Sequence, residues 1–261
     1  MSPHCEKAQR YYGAEPGGYW LSVQGGWADR VVRVMIAWQA PWFSRAERCR
    51  QVISEDERRG RCFEGMGDAL GAMYCDLNDH LVDVLLLWEQ FEQLFGADEE
   101  TVQVLNSAAP TFFGVVQAQF LDSVMLGISR LTDSPVNSRQ KNLSIRSIPP
   151  FVSDLNLRDQ VDGAIQIALA DTKFARDHRN KRIAHTDLLH VQGCAAKRLP
   201  PANRQKIKAG LESICAVLEI LNGHYLQSEF AYDTLIYGGG AGSVVALLRG
   251  GLKHQDCEVE Y

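Results

Sequence analysis

From residue 67 onward, apolar side chains recur every three or four positions. Leu70, Met73, Leu77, Leu81, Val84, Trp88, Phe91 and Phe95 lie on one stripe, which predicts a long amphipathic helix. Gly96-Ala97-Asp98 interrupts the stripe, and Asp98 followed by Glu99 and Glu100 is the pattern of a helix start. There a carboxylate accepts the free N–H groups, and further acids suit the positive end of the helix dipole. Pro110 fits the first turn of a helix and predicts a restart. Phe113, Val116, Phe120, Val124 and Ile128 then form a second stripe, closed by Arg130-Leu-Thr-Asp133. A third helix is expected from about residue 154 to 184, on Leu155, Val161, Ile165, Ala168, Ala175 and Ile183. Ile207, Leu211, Ile214, Leu218, Leu221 and Tyr225 give a fourth. Four long helices, with no β-alternating segment of useful length, predict an all-α four-helix bundle.

The segments outside these stripes are irregular. Residues 134 to 150 carry two serine-rich turns, Lys141, Arg146 and Pro149-Pro150, and read as an exposed loop of unusual length. Residues 191 to 201 contain Gly193 and Pro200-Pro201, a second connection. Residues 1 to 65 hold four of the five tryptophans (Trp20, Trp27, Trp38 and Trp42) and an Arg-rich end, but no sustained period. Trp27 to Trp38 is expected to form a short helix. The whole stretch is expected to be a weakly structured extension or upstream sequence from a misplaced start codon, with Met66 opening the folded domain. The bundle is then assigned to residues 66 to 230 and a tail to 231 to 261. In that tail Gly238-Gly-Gly-Ala-Gly-Ser243 lacks the lysine and spacing of a phosphate-cradling loop and reads as a flexible connector to a short helix at Val244 to Leu248.

Composition narrows the class. The 261 residues are 46% hydrophobic, enough for one sizeable core. The net charge is −5, so bulk attraction to polyanions is excluded and any nucleic-acid contact must be local. Seven cysteines without a CxxC pair point to a reducing, cytoplasmic setting and to no metal site, and Cys75 and Cys215 sit where a buried thiol fits an apolar pattern. No secretory leader is visible, and the apolar run Val84 to Trp88 is too short to span a bilayer. A soluble protein without membrane contact is expected.

One stretch concentrates chemistry. Arg176, Arg179, Lys181 and Arg182 fall within seven residues, and His185 follows; its imidazole is the side chain that ordinarily titrates near neutrality. On a straight α-helix Arg179 and His185 are separated by about 9 Å of rise and roughly 120° of rotation, with Arg182 midway between them. The three form a fan, and converging on one target requires the helix to bend near Ala184, a sideways reach of the Arg, or a second copy of the chain. RNA suits such a set because its 2′-hydroxyl is an internal nucleophile. His185 would move protons, Arg179 would hold the phosphate through a forked pair of hydrogen bonds and stabilise the developing charge, and Asn180 would orient the phosphate or the His. Arg176, Lys181 and Arg182 would bind the RNA backbone. No cofactor is required. The bland alternative is that Lys, Arg and His at a helix C-terminus merely complement the dipole and the free carbonyls. His80, His178 and His190 are read as structural or solvated.

Arg179-Asn180 with His185 resembles the signature of the HEPN superfamily, an Arg followed by Asn, Asp or His and, a few residues later, a His. The longer string Arg179-Asn-Lys-Arg-Ile-Ala-His-Thr-Asp187, together with Phe112-Phe113 and Arg130-Leu-Thr-Asp133, is similar to the abortive-infection, AbiU-like branch. The resemblance covers about residues 67 to 228. It implies an all-α bundle whose signature helices meet across a homodimer to form a metal-independent endoribonuclease of a phage-defence or toxin-antitoxin type system, with Arg179, Asn180 and His185 at the functional positions and an antitoxin or regulatory protein as a further partner. The alternative is a non-catalytic HEPN module that binds RNA, a nucleotide or a protein.

Overall fold

The computed structural model describes residues 35–38, 51–52, 55–137, 140–183, 202–233 and 239–259. The chain enters through two short strands, β1 (Met35–Trp38) and β2 (Gln51–Val52), and continues into α1 (Glu55–Phe95). Then come α2 (Glu99–Ala108), α3 (Pro110–Thr132) and a small hairpin of β3 (Val136–Asn137) and β4 (Gln140–Lys141). Two 3₁₀ turns follow, Ile145–Ser147 and Pro149–Phe151, before α4 (Leu155–Asp171) and α5 (Lys173–His178). A five-residue π-turn, Arg179–Ile183, prolongs α5. The last elements are α6 (Arg204–Tyr225), β5 (Ser228–Phe230) and α7 (Ala241–Val259). The fold is all-α, trimmed by these short strands.

The helix boundaries follow the expected chemistry. Asp98 accepts from the Thr101 N–H at 2.6 Å, with Glu99 and Glu100 behind it in the first turn of α2, and Pro110 occupies the first turn of α3. Asp154 and Asn203 cap α4 and α6 through the backbone N–H groups of Leu157 and Lys206, at 2.8 and 2.9 Å. Each cap satisfies a donor that the first helical turn leaves without an intrahelical partner.

α1 is one helix by name and two by geometry. Gly67 has φ 75 and ψ 168, a left-handed conformation that glycine adopts without steric cost, and the chain reverses there. Arg58 donates to Asp79 at 2.6 Å and Arg59 to Asp76 at 3.1 Å. In an unbroken helix the first pair would be about 31 Å apart. Residues 55–66 therefore lie back along residues 68–95, and Cys62 and Met66 join the main core. The boundary expected at residue 65/66 falls inside this hairpin.

The core is shared by the 68–95 arm, α3, α4 and α6. Leu77, Leu81, Met125, Ile128, Val161, Ile207, Ile214 and Leu218 are fully buried. α1 and α3 cross so closely that a Cβ on Gly127 would come within 2.3 Å of Val84 Cγ2. A second, smaller core joins Leu94, Leu105, Phe113, Val116, Ala241 and Val245. Cys62, Cys75 and Cys215 are buried free thiols, and burial pushes Cys215 up to about 12. α3 is long and apolar enough by composition to cross a membrane, yet Val124, Met125, Ile128 and Leu131 on it are wholly enclosed by the bundle.

Four expectations are corrected. Residues 35–38 are a strand, not the end of a helix: β1 pairs antiparallel with β2 and with β5, Ile36 opposite Phe230 and Trp38 opposite Ser228. The run Val31-Val-Arg-Val-Met-Ile36 is rich in β-branched residues and suits extended backbone; the rest of the expected Trp27–Trp38 helix lies outside the described residues. The segment 134–150 is no simple exposed loop, since Ile145, Ile148 and Val152 bring it into the core. The third helix breaks at Thr172 (φ −95, ψ 3). The tail helix α7 has 19 residues, and its first N–H groups, those of Ala241 and Gly242, are accepted by Gln90 and Gln93 of α1 at 2.6 and 3.0 Å.

Candidate functional site

The break at Thr172 creates the site's foundation. Thr172 is buried, and its hydroxyl turns back to the Ala168 carbonyl at 2.6 Å, a bond that competes with the helical ladder. The chain restarts as α5 at a new angle, which brings Arg176 to the C-terminal end of α3. Arg176 Nη1 donates to Thr132 Oγ1 at 2.8 Å and to Thr172 Oγ1 at 2.7 Å, and Nη2 donates to the Leu169 carbonyl. One guanidinium thus ties together α3, α4 and α5. Burial, then the nearby Arg146, pushes it below its ordinary value, from a starting point so high that it stays charged at neutral pH. Three of its five N–H donors are thus committed to the fold, and Arg176 is half-buried.

Arg179 stands one turn further on, where α5 passes into the π-turn. Its Nη1 pairs with the carboxylate of Asp133, the C-cap of α3, and its Nε donates to Asn180 Oδ1 at 3.0 Å. The two partners hold the planar fork from different edges, and among the described residues Nη2 makes no hydrogen bond. The Arg179 and Asp133 side chains are 21% and 25% exposed, so the pair sits at the surface yet is partly shielded. A guanidinium held in place with donors still open is suited to receive an anionic oxygen.

Asp133 is the residue that sequence reasoning missed. Arg130-Leu-Thr-Asp133 was legible as a motif, and the structure shows what its last two members do: Thr132 receives Arg176, and Asp133 receives Arg179. Arg179–Ile183 is itself a π-turn. Widened turns of this kind are uncommon and recur at functional sites. Lys181 is half-buried in this turn, and Arg182 belongs to it by its backbone. His185 and His190 lie outside the described residues. His178 is buried at 1% exposure, a core residue as expected. His80 is half-buried, and burial followed by the charge of Arg130 lowers its pKa, so its ring is neutral at pH 7.

The fold and this site together define a helical bundle with a cationic turn at the end of the short helix α5. The family model described as AbiU2 matches residues 67–240, and the chain belongs to this AbiU2 family of HEPN domains, an abortive-infection-related group. No curated protein and no solved structure matches the chain significantly.

Proposed function

We propose that this chain is a metal-independent endoribonuclease of a defence or toxin type system, acting in the cytoplasm as a homodimer whose two cationic turns complete one another. The observation that carries the reading is the restraint of Arg179 by Asp133 and Asn180 at the start of the turn that leads to His185. In this mechanism Arg179 holds the scissile phosphate, and its charge grows more effective as the pentacoordinate state gathers negative charge. His185 takes the proton of the 2′-hydroxyl as that oxygen attacks phosphorus, and the 5′-oxygen leaves with a proton returned by an imidazole. The product is a cyclic 2′,3′-phosphate. Asn180 aims the guanidinium, and Lys181 and Arg182 hold flanking phosphates.

The test is cleavage of RNA by purified full-length protein. Wild type is expected to cut with EDTA present and to leave cyclic phosphate or its hydrolysis product. His185→Ala and Arg179→Ala are each expected to lower the rate by about 10²-fold or more, with an unchanged circular dichroism spectrum. RNA binding without cleavage, weakened only modestly by His185→Ala, would identify a non-catalytic HEPN module and overturn the proposal.

A further inference from the structure

The described cations differ in whether a carboxylate stands against them. Away from the C-terminal end of α3 most are paired: Arg58, Arg59, Arg61, Arg204, Lys208 and Arg249 each have a carboxylate within 4.0 Å, while Lys206 and Lys253 are exposed, widely spaced cations without an ion pair among the described residues. Around the C-terminal end of α3 they are not. Arg130, Lys141 and Arg146 are exposed, and neither they nor Lys181 form an ion pair among the described residues. The one carboxylate there that holds a cation across elements, Asp133, is taken by Arg179. In a chain of net charge −5, gathering several uncompensated cations at one end costs repulsion, and Arg146 adds to burial in holding Arg176 below its ordinary value. An anionic ligand relieves that cost.

The segment carrying Lys141 and Arg146 is built as a platform. Asn142 ties it to the residues just after α3, its N–H to the Pro135 carbonyl at 2.8 Å and its side-chain amide to the Ser134 carbonyl at 2.9 Å. Ser144 donates to the carbonyl of Asp133 at 2.8 Å and accepts from the Arg146 N–H at 3.2 Å. Ile145, Ile148 and Val152 are anchored in the core, which directs Arg146 and Phe151 outward. Phe151 is 44% exposed, an aromatic face with no core role to account for it. Cations and an open aromatic ring carried on one tethered segment are the parts of a single-strand binding surface: the charges follow phosphates and the ring stacks a base. Rigid support lowers the ordering cost of binding.

We infer that residues 141–151 form a platform for single-stranded RNA leading away from Arg179, in which Lys141 and Arg146 contact phosphates and Phe151 stacks a base. The inference rests on the ribonuclease reading and extends its substrate path beyond the cationic turn. It accounts for an unstructured strand as substrate, because stacking on Phe151 requires a base that is not stacked in a duplex.

The test measures binding of a fluorescein-labelled, U-rich RNA with 2′-O-methyl groups throughout, which lacks the attacking hydroxyl, across a series of salt concentrations. Lys141→Ala and Arg146→Ala should each weaken binding and reduce the slope of log affinity against log salt by about 0.7. Phe151→Ala should weaken binding at least about fivefold while leaving the slope intact. Lys253→Ala, on α7 at the opposite end of α3, should change neither. If wild type binds and the platform variants, folded by circular dichroism, bind as it does with the same slope, the platform is overturned and the ribonuclease reading stands. If wild type neither binds this probe nor cleaves unmodified RNA, both fall.

Discussion

Asp133 sets how Arg179 can act. In the proposed reaction, a carboxylate beside the guanidinium that receives the phosphate opposes binding of the anion, and its contribution would lie in orientation. Removing the charge should therefore separate two properties that a merely structural residue would change together. Asp133→Asn is expected to leave RNA affinity equal or slightly tighter, while the cleavage rate at saturating RNA falls on the order of 10- to 100-fold through misplacement of the phosphate. Asp133→Glu, which keeps the charge on a longer arm, should recover part of the rate. A parallel loss of affinity and rate in Asp133→Asn would show that the residue supports the fold instead. Arg176 teaches the complementary lesson. Its place in a run of cations suggested RNA contact, and three of its donors bind Thr132, Thr172 and Leu169, which gives it a structural role as well.

At the scale of elements, the crossing of α1 and α3 is the tightest constraint. A methyl group on Gly127 would overlap the Val84 side chain, and overpacking of this kind costs about 1–3 kcal/mol. Gly127→Ala should lower the denaturant midpoint accordingly, and Val84→Ala in the same chain should restore part of the loss by making room; additive losses would disprove the contact. Which elements could be foreseen follows the range of the interactions that form them. The stripes of α1, α3, α4 and α6, the Asp98 cap and the Pro110 restart depend on residues within a turn or two of one another, and they were legible. The reversal at Gly67 was not, because apolar positions continue on both sides of it and contacts between distant residues, Arg58 with Asp79 and Arg59 with Asp76, reveal the turn. The break at Thr172, the pairing of β1 with β5 and the burial of Ile145 and Ile148 are likewise decided by distant partners. In the site, the cationic turn was visible from spacing, whereas the inward turn of Arg176 and the hold of Asp133 on Arg179 arise from residues more than forty positions away.

At the scale of the whole molecule, the proposed site requires two copies of the chain. Its most direct consequence is complementation. Arg179→Ala and His185→Ala proteins, each inactive alone, should regain cleavage when co-folded, because a mixed dimer retains one Arg179 and one His185 across a shared site. Sedimentation should show the dimer in every case. Activity absent from a mixture in which mixed dimers are demonstrated would show that each chain must supply both groups, and the interfacial arrangement would be abandoned.

The hairpin at Gly67 has a bearing on what this family shares. The matched stretch begins at that glycine, yet Arg58, Cys62 and Met66 are packed into the bundle from the other side of the bend. In this chain the matched portion alone therefore does not close the interior. One wall is on loan from the preceding dozen residues, and a chain initiated at the internal methionine would meet water along the seam where Tyr74 and Cys75 now lie covered.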